Sequence, residues 1–341
     1  MTTATTPEYG LKELQLETTF GGMGKETVRD IPLIDLTDFE NRRGEITDQL
    51  WSAATEVGFF QLVNHGLDVK LVQSAFELSE AFFALPNEEK ARFPLKKGLN
   101  AGWEFMSQVR PSTRTADQKE SYQITLPHMD DLWPNQTVVP EFQRIMLDFE
   151  YRAWRLGMDV LSCFAERLGF ARDFFTKAHD RSLPDYQSTL RLLHYLPMPE
   201  DDLDASLWRA GAHTDFDCLT MVFQKEGQGG LQVSPGKDAE GAGDNREWSS
   251  VIPRDDIITC NIGDMLMRWS DDSSSPPCTA CACPSRASTV ARVTAWRSSA
   301  RPQGSDDRKP RRQIPADLGG ITCCSAFRQT LLKPRSNPQR C

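Results

Sequence analysis

Between residues 31 and 270 the apolar positions recur with a period of two in some stretches and near 3.6 in others, and each change of period marks the edge of an element. Ile31–Leu36 alternates and reads as a strand. From about Phe39 to Val57 the residues Ile46, Leu50, Ala53, Ala54 and Val57 return at helical spacing, and Gly58 ends that helix. Phe59–Val63 is a second strand. Leu71, Val72, Ala75, Phe76, Leu78 and Phe82 form the apolar side of another helix over Val69–Ala84. Pro86–Lys90 opens a short further turn, with carboxylates at the positive end of its dipole. Residues 92–135 hold Trp103, Tyr122 and Trp133 among polar groups and read as loops. The longest pattern runs from Pro140 to about Leu168, where Phe142, Ile145, Met146, Phe149, Trp154, Leu156, Val160, Leu161, Phe164 and Leu168 predict an amphipathic helix. It reads as a brace for a sheet, with its aromatic and methionine residues in the core.

Beyond the brace the chain turns to strands. Ser188–Pro197 is one, and within it His194 and Tyr195 fall on opposite faces, so His194 reads as a satisfied core or rim histidine. Gly211–Gln224 alternates after Asp215 and carries β-branched Thr220 and Val222, which predicts a strand with His213 and Asp215 on one face. An imidazole and a carboxylate side by side supply two of the three ligands of a 2-His-1-carboxylate site, where iron keeps open positions for substrate and oxygen. A His-x-Asp triplet also occurs by chance and for structural reasons, and the third ligand has to come from elsewhere. Gly229–Val233, Trp248–Ile252 and Asp255–Asp264 predict further strands, with a surface loop over 236–247, and Asn261–Trp269 continues as strand. His65, between a strand and the Gly66 turn, reads as a hydrogen-bonding structural residue, and His128 as a surface one.

Charge divides the chain in two. Residues 1–272 carry 27 basic and 45 acidic side chains, net −18, whereas residues 273–341 carry 12 and 3, net +9. Cys163, Cys218 and Cys260 are scattered over the first part while the other six cysteines crowd after position 277, and all five histidines precede the break. No stretch reaches the ~18 consecutive apolar residues of a membrane span, and Met1–Pro7 lacks the basic start and apolar core of a secretory signal. The expectation is a soluble, cytoplasmic protein with no membrane partner.

In their order and spacing, His213-Thr214-Asp215, Gly229–Val233 and Asn261–Trp269, together with Ile31–Leu36 and Gly58–Gly66 upstream, resemble the iron(II)- and 2-oxoglutarate-dependent dioxygenases of the isopenicillin N synthase-like group, from about residue 31 to residue 272. The resemblance implies a mostly β fold with α: a double-stranded β-helix, or jelly-roll, braced by the long helix and preceded by an α/β amino-terminal region. Residues 1–30 lack sustained periodicity and read as an arm, and the resemblance gives an amino-terminal region over 31–135, with substrate-facing loops and edge strands in 92–135, and a jelly-roll core over 136–272. It implies Fe(II) on His213 and Asp215, and Tyr195 near the carboxylate of the co-substrate 2-oxoglutarate. It further implies succinate formation with O2 and oxidation of a small organic molecule by hydroxylation, desaturation or ring closure. Hard and imidazole donors suit non-haem iron, and none of the first-part cysteines has metal spacing. Substrate and oligomeric state are not legible.

After Asp272 the pattern stops. The family places a histidine some ten residues after Trp269, within Ser-Thr-x-His-Arg-Val, followed by Arg-x-Ser; here Ser273–Pro284 stands instead, with Thr279 at the expected position of the histidine. A cysteine metal site at Cys278, Cys281 and Cys283 lacks a well-spaced fourth ligand. A nucleic-acid-binding tail is permitted by the charge alone, and aromatic stacking groups are scarce, so no nucleic-acid partner is expected. The remaining explanation is a frame shift. Codons exist for Ser274–Pro284 that, read one nucleotide earlier, give Leu-Leu-Ser-Thr-Leu-His-Arg-Val-Arg-Leu, with histidine at Thr279. The same offset permits Arg-x-Ser at Val293 to Ala295 and a family-like terminus from Gly320 to Leu331. Leu, Ile, Val and Phe number only 8 of the last 69 residues, a composition that cannot bury a core. Residues 273–341 are therefore expected to be an out-of-frame, disordered tail that leaves a sheet edge open, and the enzyme to be impaired. The alternative is a non-catalytic relic or binding protein that keeps the jelly-roll shell.

Overall fold

The computed structural model describes residues 25–27, 30–109, 116–196, 210–215, 217–234, 247–270, 278–281 and 288–295. The amino-terminal elements are β1 (Lys25–Thr27), β2 (Leu33–Asp35), α1 (Arg43–Glu56), β3 (Phe59–Val63), α2 (Val69–Phe83), α3 (Asn87–Lys90), β4 (Gly102–Phe105) and β5 (Lys119–Ile124). The brace is α4 (Phe142–Arg167), followed by the short α5 (Phe174–Ala178) and β6 (Thr189–Tyr195). Then come β7 (Ala210–His213), β8 (Leu219–Gln224), β9 (Leu231–Ser234), β10 (Glu247–Ser250), β11 (Ile258–Ile262), α6 (Asp264–Trp269), β12 (Cys278–Cys281) and β13 (Ser288–Ala295).

Local chemistry explains the boundaries. Helix α1 buries Ile46, Leu50, Ala53 and Ala54 on one face, and Gly58 ends it at φ +83, a conformation that costs glycine little. Helix α2 starts at Asp68, whose carboxylate accepts from the Lys70 amide at 2.9 Å. Gly157 lets α4 approach the sheet: a Cβ there would lie 3.2 Å from the Met221 Cε on β8.

Among the described residues the strands form a five-stranded sheet, in the order β1-β10-β9-β12-β7, and an eight-stranded sheet, in the order β2-β3-β11-β8-β13-β6-β5-β4. One face of the larger sheet, with Phe60, Leu62, Tyr122, Leu190, Leu192, Met221 and Phe223, packs into the main core with α1, α2 and α4. Phe149 of α4 meets Phe223 edge to face at 5.0 Å. The other face looks toward the smaller sheet. There Phe59 packs with Leu231, Val233 and Val251, and Leu193 and Tyr195 pack with Ala210. This is the two-sheet jelly-roll, mostly β with α, that the sequence implies, and the space between the sheets is where a site can form.

Two sequence expectations need correction. The stretch 213–224 is not one strand: β7 ends at His213 and β8 begins at Leu219 in the other sheet, because the intervening aspartates turn the chain from sheet to sheet. Asn261–Trp269 is strand only to Ile262; from Asp264 it is the helix α6, entered through an extended Gly263. Within the stretch expected to form a disordered tail, residues 278–281 and 288–295 are strands. Strand β12 pairs with both β7 and β9, and β13 with both β6 and β8, so the edges expected to lie open are paired there. Backbone ladders need no particular side chain, and Ser288–Ala295 is rich in β-branched residues suited to a strand. The rest of 273–341 lies outside the described residues, as does most of the arm, of which Lys25–Thr27 pairs in parallel with β10. No helix among the described residues is long and apolar enough to cross a membrane.

Candidate active site

His213 closes β7, and Asp215 sits in the turn that carries the chain to β8. Both are buried, and His213 Nε2 lies 3.6 Å from Asp215 Oδ1. That is too long for a hydrogen bond, yet near the roughly 3.0–3.4 Å between two donors each ~2.1 Å from one ion. His213 Nδ1 lies 2.8 Å from the Gly211 carbonyl, which can only accept, so the proton sits on Nδ1 and Nε2 presents its lone pair. Asp215 is steered by its other oxygen, since Oδ2 accepts from Asn261 Nδ2 at 3.0 Å and lies 2.8 Å from the Thr220 hydroxyl. The same hydroxyl is 2.9 Å from Asp217 Oδ2, and with one proton it serves one carboxylate at a time. Thr220 on β8 and Asn261 on β11 are direct cross-strand neighbours, which brings both side chains to the same carboxylate.

The turn is held by backbone as well. The Asp264 amide donates to the Asp215 carbonyl at 2.8 Å and the Met265 amide to the Asp217 carbonyl at 3.2 Å. Gly263 has no room for a side chain, because a Cβ would lie 2.1 Å from the Asp217 carbonyl oxygen.

Fe(II) fits this donor chemistry in two of its three protein positions: an imidazole fixed in the binding tautomer by a backbone carbonyl and a carboxylate fixed by an amide and a hydroxyl, the outer partners that metal sites use. Among the described residues no group of three His, Cys, Asp or Glu side chains gathers as a metal site. The backbone of Thr279 stands opposite His213 across the β7/β12 ladder and opposite Val233 of β9 on its other side. The backbone of Val293 is in register with Leu190 and Met221, and that of Ala295 with Leu219.

Tyr195 is buried between the sheets, packed with Leu193 and Ala210. His194 points the other way: its Nδ1 meets Glu120 Oε1 at 2.8 Å and its ring stacks on Phe83. Glu120 also takes Lys90 Nζ at 2.7 Å and Trp103 Nε1 at 2.7 Å. Burial would raise the Glu120 carboxyl, but these bonds outweigh it and hold it below the usual range. His65 Nδ1 accepts from the Leu67 amide at 3.2 Å, and His128 lies near the surface with its carbonyl bound by Lys96. None of these three is drawn into the His213 and Asp215 pair. Thr220 and Asn261 carried no role in the sequence; the signal available was Asn261-Ile262-Gly263-Asp264, a turn-forming run directly after a strand.

An imidazole and a carboxylate between the two sheets of a jelly-roll are donors of the kind that non-haem iron takes. The model for the amino-terminal part of non-haem dioxygenases in morphine synthesis matches residues 31–140, and that for the 2OG-Fe(II) oxygenase superfamily matches residues 186–295. The proline hydroxylase buaE of Petromyces alliaceus is 30% identical over 262 residues, 71% of this chain and 77% of that protein. A 2-oxoglutarate-dependent dioxygenase of Trichoderma harzianum, thnC, is 27% identical over 73% of this chain and 78% of its own length. A full-length Neurospora crassa protein crystallised with alpha-KG superposes with a TM-score of 0.70 at 24% identity, covering 88% of this chain and 95% of that one. The chain belongs to the 2OG-Fe(II) oxygenase superfamily. By family it is a 2-oxoglutarate-dependent dioxygenase, an oxidoreductase that works with Fe(II), 2-oxoglutarate and O2 on a small organic molecule.

Proposed function

We propose that His213 and Asp215 are two of the three protein ligands of the Fe(II), that position 279 is the seat of the third, and that this polypeptide, with threonine there, is impaired. The observation that carries this reading is the register of Thr279 with His213, since directly opposed residues of an antiparallel pair share a face. When bound together, iron and 2-oxoglutarate supply the activation of O2 for attack on an unreactive C–H bond. The chain's own residues do the rest. The Gly211 carbonyl fixes the His213 tautomer, Asn261 and Thr220 fix the Asp215 carboxylate, and Tyr195 borders the co-substrate carboxylate. The paired sheets keep bulk water from the chamber.

The same reading assigns 1–30 to an arm, 31–135 to an amino-terminal region, 136–272 to the jelly-roll core and 273–341 to an out-of-frame product. For this exact polypeptide the missing third ligand also favours a shell without turnover. Both are tested by reading the gene across codons 270–280 in all frames and expressing the frame-restored protein. That protein is expected to form succinate with iron-dependent O2 uptake, and His213→Ala in it to abolish this. Restored protein without succinate formation across a broad substrate panel, or turnover that survives His213→Ala, would overturn the proposal.

A further inference from the structure

Among the described residues β7 is an outer strand of the smaller sheet, and its ladder with β12 is irregular. Thr279 stands opposite His213 and Cys281 opposite Ala210, so three steps along β7 match two along β12. That is a bulge, a local kink by which a strand re-aims a side chain at the cost of regular pairing. It falls on Gly211 and Ala212, directly before His213. Buried backbone at such a kink needs a partner from outside the ladder. Here the partner comes from the chain that enters β5 of the other sheet: the Gly211 amide donates to Asp117 Oδ1 at 3.1 Å.

Asp117 is itself firmly held. It is buried, its Oδ2 takes Lys119 Nζ at 2.8 Å, its amide donates to the Gln108 carbonyl at 2.8 Å, and its carbonyl accepts from the Lys119 amide at 2.9 Å. Lys119, also buried, opens β5 opposite Tyr195 of β6. The carboxylate is thus fixed in place before it meets Gly211. Gly211 carries that placement onward, because its amide is bound to Asp117 while its carbonyl, on the following peptide unit, lies 2.8 Å from His213 Nδ1. With the amide tied down, the carbonyl of a residue that otherwise turns easily is kept toward the imidazole. Asp117 belongs to the segment 31–140 and Gly211 to the segment 186–295, so one hydrogen bond lets the amino-terminal region act on the site in the core.

We infer that Asp117, supported by Lys119, is a positioning residue for the reaction: through Gly211 it keeps His213 in the tautomer whose Nε2 is bare for metal. This rests on His213 being an iron ligand. The test compares two uncharged pairs in the full 341-residue chain. Asp117→Asn with Lys119→Met keeps an oxygen for the Gly211 amide; Asp117→Leu with Lys119→Met removes it. Both lose the ion pair and the pull of Lys119 on Glu104, so they differ in that acceptor. The readout is the His213 tautomer without metal, from nitrogen-15 spectra of histidine-labelled protein at about pH 8, where an ordinary imidazole is neutral. The resonance is assigned by its loss in His213→Gln. Wild type and the asparagine pair are expected to show one Nδ1–H form, and the leucine pair to populate the Nε2–H form. With Thr279→His added to each, the leucine pair should bind Co(II) roughly 10-fold more weakly than the asparagine pair. A role confined to stapling the sheets would lower both melting temperatures and leave the tautomer alone. Should leucine not fit, Asp117→Ala with Lys119→Met removes the acceptor without added bulk. An Nε2–H form in the wild type, an acceptor-free pair that keeps the Nδ1–H form, or an asparagine pair that loses it as fully would each overturn the inference. A changed tautomer with unchanged Co(II) affinity would fault His213 as a ligand and not the hold of Asp117 upon it.

Discussion

Thr279 stands directly across from His213 where β12 runs between β7 and β9. A third ligand needs little more than this juxtaposition, so Thr279→His in the otherwise unchanged chain is expected to tighten Fe(II) or Co(II) binding by at least ~10–100-fold, more than the loss of an outer-sphere partner costs. Anaerobic calorimetry, or the visible spectrum of Co(II), reads this directly. Equal affinity in the two proteins would remove position 279 from the site.

In the proposed site Asn261 bears on the metal through Asp215, to which it donates at 3.0 Å. Asn261→Ala is expected to lower metal affinity in the Thr279→His background by ~10–100-fold, as removal of an outer partner does. Asn261→Asp should be worse still, since it sets two buried carboxylates side by side. Metal titration of the three proteins checks the order; an unchanged affinity in Asn261→Ala would show that Asp215 is held by other contacts.

Gly263 is required by space. With a Cβ 2.1 Å from the Asp217 carbonyl oxygen, Gly263→Ala must push apart the turn that carries Asp215, and the expected loss is about 1–3 kcal/mol or more. Urea denaturation measures it. A midpoint within error of the wild type would mean that the turn relaxes freely.

Glu104 and Glu120 make stability fall in acid. Burial would raise the Glu104 carboxyl, but the Arg191 charge and the Ser107 and Ser121 hydroxyls outweigh it, so its folded pKa lies below the ordinary 4.5; Glu120 behaves likewise through His194, Lys90 and Trp103. A depressed carboxylate contributes stability that is complete above the unfolded value and is lost as the pH falls through the folded one. The urea midpoint should therefore hold from neutrality to about pH 5 and drop below 4.5. Glu104→Gln should be less stable at pH 7 and less sensitive to acid. Parallel slopes for the two proteins between pH 5 and pH 3.5 would contradict this assignment.

The elements with a clear period were legible in the residues themselves. Ile46, Leu50, Ala53 and Ala54 marked α1, the Phe142–Leu168 pattern marked the brace, and Phe59–Val63 is a strand to the residue. What failed was local. Alternation continues through Asp215 and Asp217, but periodicity does not register that aspartates favour a turn, and Asp264–Trp269 is too short for a helical period to emerge against a preceding strand. His213 and Asp215 were visible as a pair, whereas Thr220, Asn261 and the Glu104 cluster come together only through cross-strand pairing, which no linear spacing encodes. Strands β12 and β13 pair through backbone that any composition carries, which side-chain periodicity does not report.

Strands β12 and β13 are the last described in the chain, yet each is laid between two strands made earlier: β7 and β9 in one sheet, β6 and β8 in the other. A ribosome making this protein has to hold two half-built sheets, each with a strand-wide gap, until Cys278–Cys281 and Ser288–Ala295 emerge. Ladders closed between segments so far apart in sequence form slowly and expose unpaired edges while they wait. An error in the message after codon 272 therefore does not trim the periphery. It strikes the middle of both sheets at the moment of closure, and the cell's chaperones and proteases would meet its effect before any substrate does.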